Sequence, residues 1–161
     1  MGTCDWNLDL WAAETGRRIL EQAKPESKKE VNGLQSTLTK ALGILQESGI
    51  YAFFLYLLAK REKKDAKAKN DPCRVILKQV LEDFGQKKDR FGFSGEAPVL
   101  PDSPNTKAVE KILNWVAKEI AADLPRLLLC REFLQRALTY ALYAAEAKEV
   151  ELNHQTGGSQ P

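Results

Sequence analysis

The residues most able to do chemistry in this chain are the basic side chains near its middle. Residues 60–69 read KREKKDAKAK, with six lysines or arginines against two acidic residues, in a chain whose net charge is only +2. Ammonium and guanidinium groups at this density bind phosphate oxygens, so the segment favours a polyanion such as a nucleic acid as partner. A solvated helix face explains the same composition equally well.

Two further groups of residues extend this interpretation. Arg131 and Arg136 lie five positions apart in the predicted last helix, and Phe91 and Phe93 alternate with basic residues in the segment QKKDRFGFSG. The two rings could stack on nucleotide bases, or they could only hold the loop against the protein body. The candidate contacts to an RNA backbone are Lys60, Arg61, Lys63, Lys64, Arg131 and Arg136.

Catalysis is not indicated by the residue types. The only histidine, His154, lies in a polar tail, so no Ser–His or Cys–His pair is expected in a structured part of the chain. No glycine-rich phosphate loop is present. The acidic pairs Glu82–Asp83 and Glu146–Glu149 are typical of solvated helix faces. We therefore expect no enzymatic activity, no catalytic residues, no cofactor and no metal.

The cysteines and the first residues of the chain indicate the cellular compartment of the protein. Cys4, Cys73 and Cys130 are odd in number and scattered, and they form no C-x-x-C pair. This pattern favours reduced thiols over disulfides or a zinc site. The start, MGTCDWNLDLW, has neither the basic region nor the apolar region of a signal peptide. The sequence therefore predicts a cytoplasmic protein.

An apolar stretch from Ile50 to Lys60, IYAFFLYLLAK, organises the predicted fold. It is too short to cross a bilayer, which takes roughly 20 apolar residues. Because it is apolar all round, it predicts a central helix that its neighbours enclose on every side. Whether residues 31–60 form two helices or one helix bent at Gly49 stays open at this point.

Other helices are predicted where apolar residues recur at steps of three and four. Asp5 or Asn7 could cap the first, and Asp71 followed by Pro72 marks a clear helix start. No stretch has the alternation of a strand. The predicted helices cover about residues 8–23, 31–48, 50–60 and 72–84, followed by one that begins at Pro104 and one that runs to about Glu151, where Pro125 either ends the former or starts the latter.

The predicted fold class is therefore all-α, a single-domain bundle of about six helices around a buried central helix. The bundle domain spans residues 1–152, with the basic segment at 60–69 and a long loop at 86–104. A loop of this length is usually functional or disordered. The polar residues 153–161 are expected to form a disordered tail.

Two segments resemble a known family. KALGILQESGIYAFFLYLLAK (Lys40 to Lys60) is similar to its amphipathic helix, short polar-glycine break and apolar-aromatic helix, and LCREFLQRALTYALYAAEAKEVE (Leu129 to Glu151) resembles its final helix. The family is the small subunit of type III-B CRISPR RNA-targeting effector complexes, the Cmr complexes. The order of elements is similar over most of the chain.

The resemblance implies a non-catalytic structural subunit that acts in antiviral defence. Its partners would be other subunits of the effector complex, further copies of itself, and the backbones of the guide and target RNA. It implies no membrane and no small-molecule substrate. Two alternatives remain: a helical adaptor that binds only proteins, and a small subunit of a related type III-A or type I complex.

Overall fold

A computed structural model of the chain describes residues 7–63, 71–102 and 105–157, and the described part contains helices and no strand. The all-α fold class is thereby confirmed. None of the helices described is both long enough and apolar enough to span a membrane. The elements are α1 (Leu8–Ala23), α2 (Lys28–Ser48), α3 (Ile50–Lys63), α4 (Pro72–Gln86), α5 (Lys88–Phe91), α6 (Thr106–Trp115), a π-helical segment (Val116–Ala121) and α7 (Leu124–Gly157).

Side-chain caps explain where several helices begin. The Asn7 side chain accepts a hydrogen bond from the Leu10 amide at 2.9 Å, and Asp71 accepts one from the Arg74 amide at 3.3 Å, with Pro72 opening α4. Each cap satisfies a backbone donor that the first helical turn leaves unpaired. Asn7 is thus the cap of the first helix, and the predicted start of α4 is confirmed.

Gly49 separates α2 from α3, so residues 31–60 belong to two helices. Its φ of 96° and ψ of −177° lie in a region that essentially only glycine occupies. Its amide donates to the carbonyls of Ile44 and Leu45, which closes the last turn of α2. The chain therefore turns sharply here without losing backbone hydrogen bonds.

The last helix, α7, lies at the centre of the bundle and packs most extensively on α1 and α2. It runs antiparallel to α2, since Arg131 contacts Gln46 while Glu149 contacts Gln35. α7 begins just before Pro125 and continues through Gly157. Residues 153–157, predicted to be part of a disordered tail, are therefore helical, and residues 158–161 lie outside the described part.

The helix α3 is buried on one side only. Phe53, Phe54 and Leu57 are fully buried, as predicted, but Tyr51 is 43% and Leu55 is 46% exposed. The prediction that residues 50–60 are enclosed on every side is therefore wrong in this respect. The physical reason is position: α7 takes the centre of the bundle, and α3 covers a flank with one face open to solvent.

An aromatic cluster anchors the segment after α4. Phe91 and Phe93 are buried, and their rings lie 5.0 and 5.6 Å from that of Phe84. Trp115, expected at the edge of its helix stripe, is also buried, 5.1 Å from Phe93. Of the two predicted roles for the phenylalanines, the structure therefore shows the one that holds the loop to the body. The loop predicted at 86–104 includes the short helix α5.

The two described cysteines, Cys73 and Cys130, are buried. Burial raises the pKa of the Cys130 thiol to about 12, and the nearby charge of Arg126 offsets this only in part. Because the thiolate is the nucleophile, we expect neither cysteine to react with iodoacetamide at pH 8 in the folded protein. Peptide mapping after labelling, with a urea-unfolded sample as control, checks this. Rapid labelling of Cys130 in the folded chain would contradict the burial.

Candidate nucleic-acid interface

The basic segment begins on a helix. Lys60 is exposed near the end of α3, and the backbone of Arg61 and Lys63 continues that helix. Lys64 and the rest of the predicted segment lie outside the described residues. Along the chain, the segment connects α3 to α4, which begins at Pro72.

Arg131 has a structural partner. Its Nη2 donates a hydrogen bond of 3.0 Å to the carbonyl oxygen of Gln46, in the last turn of α2. Carbonyls at a helix C-terminus lack partners within the helix and carry partial negative charge, so a guanidinium is favourable there. We therefore assign Arg131 to the packing of α7 on α2 and leave it out of the interface proposed below.

Arg136 is held between two carboxylates. Its guanidinium lies 2.8 Å from Glu132 and 3.5 Å from Asp9, and Asp9 also accepts a hydrogen bond from the Tyr140 hydroxyl at 2.8 Å. The hydrogen bond to Glu132 is the largest cause of the raised pKa of Arg136. Two acidic groups around one arginine leave no positive surface here, so we also leave Arg136 out of the interface.

The structure separates Arg131 from Lys60, the one residue of the basic segment whose side chain is described. Arg131 contacts the end of α2, next to the start of α3 at Ile50. Lys60 lies ten residues further along α3, which is about 15 Å at the rise of an α-helix. Of the predicted contacts, Arg131 and Lys60 are therefore well separated, while Lys64 and the side chains of Arg61 and Lys63 lie outside the described part.

A different set of basic side chains does come together, in what we call the α1–α4 groove. It holds about 350 Å³ and lies between the end of α1 and the first turns of α4. Arg74 and Lys78 are four residues apart and so share one face of α4, while Lys24 follows α1. The groove is lined by Gln22, Lys24, Arg74, Val75, Lys78 and Asp102.

Lys24 has an unusual backbone conformation. Its φ of 43° and ψ of 56° are left-handed, and it is the one non-glycine residue with positive φ among those described. Pro25 follows and disfavours a right-handed helical conformation at the residue before it. The chain therefore leaves α1 at Lys24, which places this residue beside the start of α4.

The ion pair in the groove is asymmetric. Arg74 Nη2 lies 2.6 Å from Asp102 Oδ1, with the arginine side chain only 12% exposed and the aspartate 98% exposed. Within the described part of the chain, Asp102 is the only carboxylate that lines the groove, against three cations. A cavity of about 490 Å³ lies at the same end of the bundle, and its lining includes one lysine, Lys29, and two carboxylates, Glu30 and Asp71.

None of the residues that line the groove is among the RNA contacts predicted from the sequence. The spacing of Arg74 and Lys78 was a usable signal, because residues four apart lie on one helix face. Lys24 carried no such signal, since its proximity to α4 depends on how α1 packs.

Two carboxylates are buried within the described part of the chain. Asp83, predicted to be on a solvated face, is fully buried and accepts hydrogen bonds from Thr15, Arg18 and Gln79. The reason is that α1 covers this face of α4 with polar side chains. Glu146 is exposed, as predicted, whereas Glu149 is half-buried and bonded to Gln35.

Glu119, in the π-helical segment, fastens the loop after α5. Its carboxylate accepts hydrogen bonds from the Ser94 amide and hydroxyl at 3.0 and 2.8 Å and from the Gly95 amide at 3.1 Å, and Arg126 lies 3.3 Å away. Burial by itself raises the pKa of Glu119, but these hydrogen bonds and the arginine outweigh it, so the pKa lies below 4.5. The loop is therefore bonded to the bundle through a charged group.

A pH dependence follows from this lowered pKa. Ionised Glu119 contributes stability above pH 4.5, and the contribution is lost as pH falls through the lower pKa of the folded state. We expect Glu119→Gln to reduce the free energy of unfolding by about 1.5–3 kcal/mol at pH 7. The difference from wild type should shrink below pH 4.5 in urea melts. A difference that stays constant down to pH 2.5 would contradict this account.

Comparisons with known proteins add no family to these observations. No protein-family model matches the chain, and no curated protein or solved structure is detectably similar to it. Among the described residues, no group of three or more histidines, cysteines or acidic residues is placed to hold a metal ion.

Proposed function

We propose that this protein is a non-catalytic, structural small subunit of an RNA-guided effector complex of the type III-B CRISPR class. The support is that residues 40–60 and 129–151 resemble segments of that family of subunits. These residues form the end of α2, most of α3 and most of the central helix α7. These are the elements that build the bundle. The subunit would work in the cytoplasm beside copies of itself and other subunits.

The single observation that carries an RNA-facing role is the uneven distribution of basic groups. At one end of the bundle, Arg131 and Arg136 have internal partners. At the other end, where the basic segment joins α4, Lys24, Arg74 and Lys78 line a groove with one carboxylate. A groove with three cations and one carboxylate is suited to phosphates, whereas the surroundings of Arg136, with two carboxylates, are not.

Such a surface does not need to read a sequence. In RNA-guided complexes the pairing of guide and target bases carries the specificity, and the protein contacts the backbone. Lysine and arginine contacts to phosphates fix position and register and make binding depend on salt. A rigid helical bundle with basic residues at one end meets these requirements.

The test is RNA recovery with the chain purified from its own cells. We expect the triple charge reversal of Lys60, Arg61 and Lys64 to glutamate to lower the amount of co-purified RNA and weaken its salt dependence. The matched control reverses Lys107, Lys111 and Lys118, three lysines in α6 and the π-helical segment whose side chains are exposed. RNA recovery that is equal for the two triple variants and indifferent to salt would show that the basic segment does not face RNA.

A protein-only adaptor is the second candidate, and one observation favours it. Leu124 and Leu128, four residues apart in the first turns of α7, are 65% and 53% exposed. Exposed apolar side chains on one helix face suit a contact with another protein. If partner proteins co-purify after nuclease treatment and after the charge reversals, but are lost in Leu124→Ser/Leu128→Ser, the adaptor is the better description.

A further inference from the structure

We propose that the α1–α4 groove binds a single phosphate group, which under the proposed function is one backbone phosphate of RNA, and that Asp102 occupies this position when RNA is absent. The inference rests on the proposed function for the source of the phosphate. The groove itself follows from the packing of α1 on α4.

The first step is the charge of the groove. Lys24, Arg74 and Lys78 line a space of about 350 Å³, and among the described residues Asp102 supplies the only negative charge in the lining. The lining therefore has a net positive charge, which favours an oxyanion: a backbone phosphodiester of RNA carries one negative charge and inorganic phosphate up to two. Guanidinium and ammonium groups in one lining suit the recognition of phosphate oxygens.

The second step is the position of Asp102. One carboxylate oxygen lies 2.6 Å from Arg74 Nη2, although the Asp102 side chain as a whole is 98% exposed. It therefore marks where a negatively charged oxygen is stable in this groove. The ion pair costs little to break on the aspartate side, because an exposed carboxylate regains its hydration on leaving.

The third step is the rigidity of the groove wall. Gln22, next to Lys24 in the lining, donates a hydrogen bond of 2.9 Å from its side chain to the Gln79 side chain on α4. Because Gln79 follows Lys78, this contact fixes the end of α1 relative to the basic face of α4. The backbone segments that carry the cations are thus held in place before a ligand arrives, which lowers the entropic cost of binding.

The first experiment uses inorganic phosphate and the full chain. Titration followed by 15N NMR should shift the amides of residues 22–24 and 74–78 in wild type. We expect Asp102→Asn to bind phosphate about three-fold more tightly, since the competing charge is gone. Glu110→Gln, the same charge change at an exposed position in α6, should leave the affinity unchanged. Absence of shifts at these amides in both wild type and Asp102→Asn would overturn the phosphate site, whatever RNA does.

The second experiment identifies the source of the phosphate. A labelled single-stranded RNA should compete with inorganic phosphate for the same amides. Lys78→Gln should reduce the slope of log K against log salt for RNA by about 0.7, the value for one lost contact. Lys40→Gln, an exposed lysine in the middle of α2, is the control with the same charge change.

The two possible failures are distinguishable. Phosphate binding without RNA competition would overturn the assignment to RNA and indicate a site for free phosphate. RNA binding that is indifferent to Lys78→Gln and Asp102→Asn would overturn the groove while leaving the proposed function in place.

Discussion

Replacing Asp83 with alanine should lower the free energy of unfolding by about 2–3 kcal/mol, because a buried donor loses its acceptor and the ion pair with the partly exposed Arg18 is broken. The Asp83 carboxylate is fully buried and accepts hydrogen bonds from Thr15, from Arg18 at 3.1 Å and from Gln79 at 3.2 Å. Alanine leaves the buried Gln79 amide without this acceptor, while the Thr15 hydroxyl can turn to the Trp11 carbonyl and Arg18, 35% exposed, is partly hydrated. Urea unfolding followed by circular dichroism measures the loss.

Two variants separate the buried network from charge alone. Asp83→Asn keeps an acceptor for Arg18, and its amide can donate to the Thr15 hydroxyl. That hydroxyl then donates to the Trp11 carbonyl 3.0 Å away. We expect this variant to lower the free energy of unfolding by about 1–2 kcal/mol. Glu21→Ala breaks the exposed pair with Arg17 and should cost less than about 1 kcal/mol. If Asp83→Ala were no more destabilising than Glu21→Ala, the network would not hold α1 to α4.

The second large effect is expected at Gly16, where α1 crosses α7. A Cβ atom added there would lie 2.7 Å from the Ala141 amide nitrogen and 2.8 Å from the Tyr140 Cβ. Both atoms belong to or adjoin the backbone of α7, so they cannot rotate away. Gly16→Ala should therefore push the helices apart and destabilise the protein by about 1–3 kcal/mol.

A matched control lies in α2. Gly33 is also in a helix interior, but a Cβ added there meets no atom within 4 Å. Gly33→Ala should stabilise the protein by roughly 0.5–1 kcal/mol, because alanine has less backbone entropy to lose than glycine. The two alanine substitutions should thus shift the melting temperature in opposite directions. An unchanged or raised melting temperature for Gly16→Ala would mean that α1 and α7 are not in close contact.

These stability predictions also bear on the proposed interface. Asp83 and Gln79 lie on the face of α4 that receives α1, and Gln79 is bonded to Gln22 beside the groove. The packing of α1 on α4 is what brings Lys24 to Arg74 and Lys78. Asp83→Asn, which should remain folded, is therefore expected to weaken phosphate binding without any change to a groove cation.

Local sequence signals predicted the helices well. The bounds of α1 agree with the prediction, and α4 begins at its predicted signal, because an Asn or Asp cap acts within three residues of itself. Three- and four-residue steps of apolar side chains predicted the other helices, and the continuous apolar run of α3 predicted the burial of Phe53, Phe54 and Leu57 but not the open face at Tyr51 and Leu55. These features depend on neighbours along the chain, so the sequence by itself determined them and the all-α class.

The partners of the polar and charged groups were decided only by the tertiary structure. Asp83 is buried because α1 lies on it, Arg131 is bonded to a carbonyl of α2, and Tyr51 is exposed because α7 occupies the centre. In each case the deciding atoms are distant in sequence, and which helix reaches them depends on how all the helices pack together. Lys24 and Lys78 likewise line one groove only because α1 packs on α4. The residues next to a lysine in the sequence do not show which charged groups it will face in the folded protein.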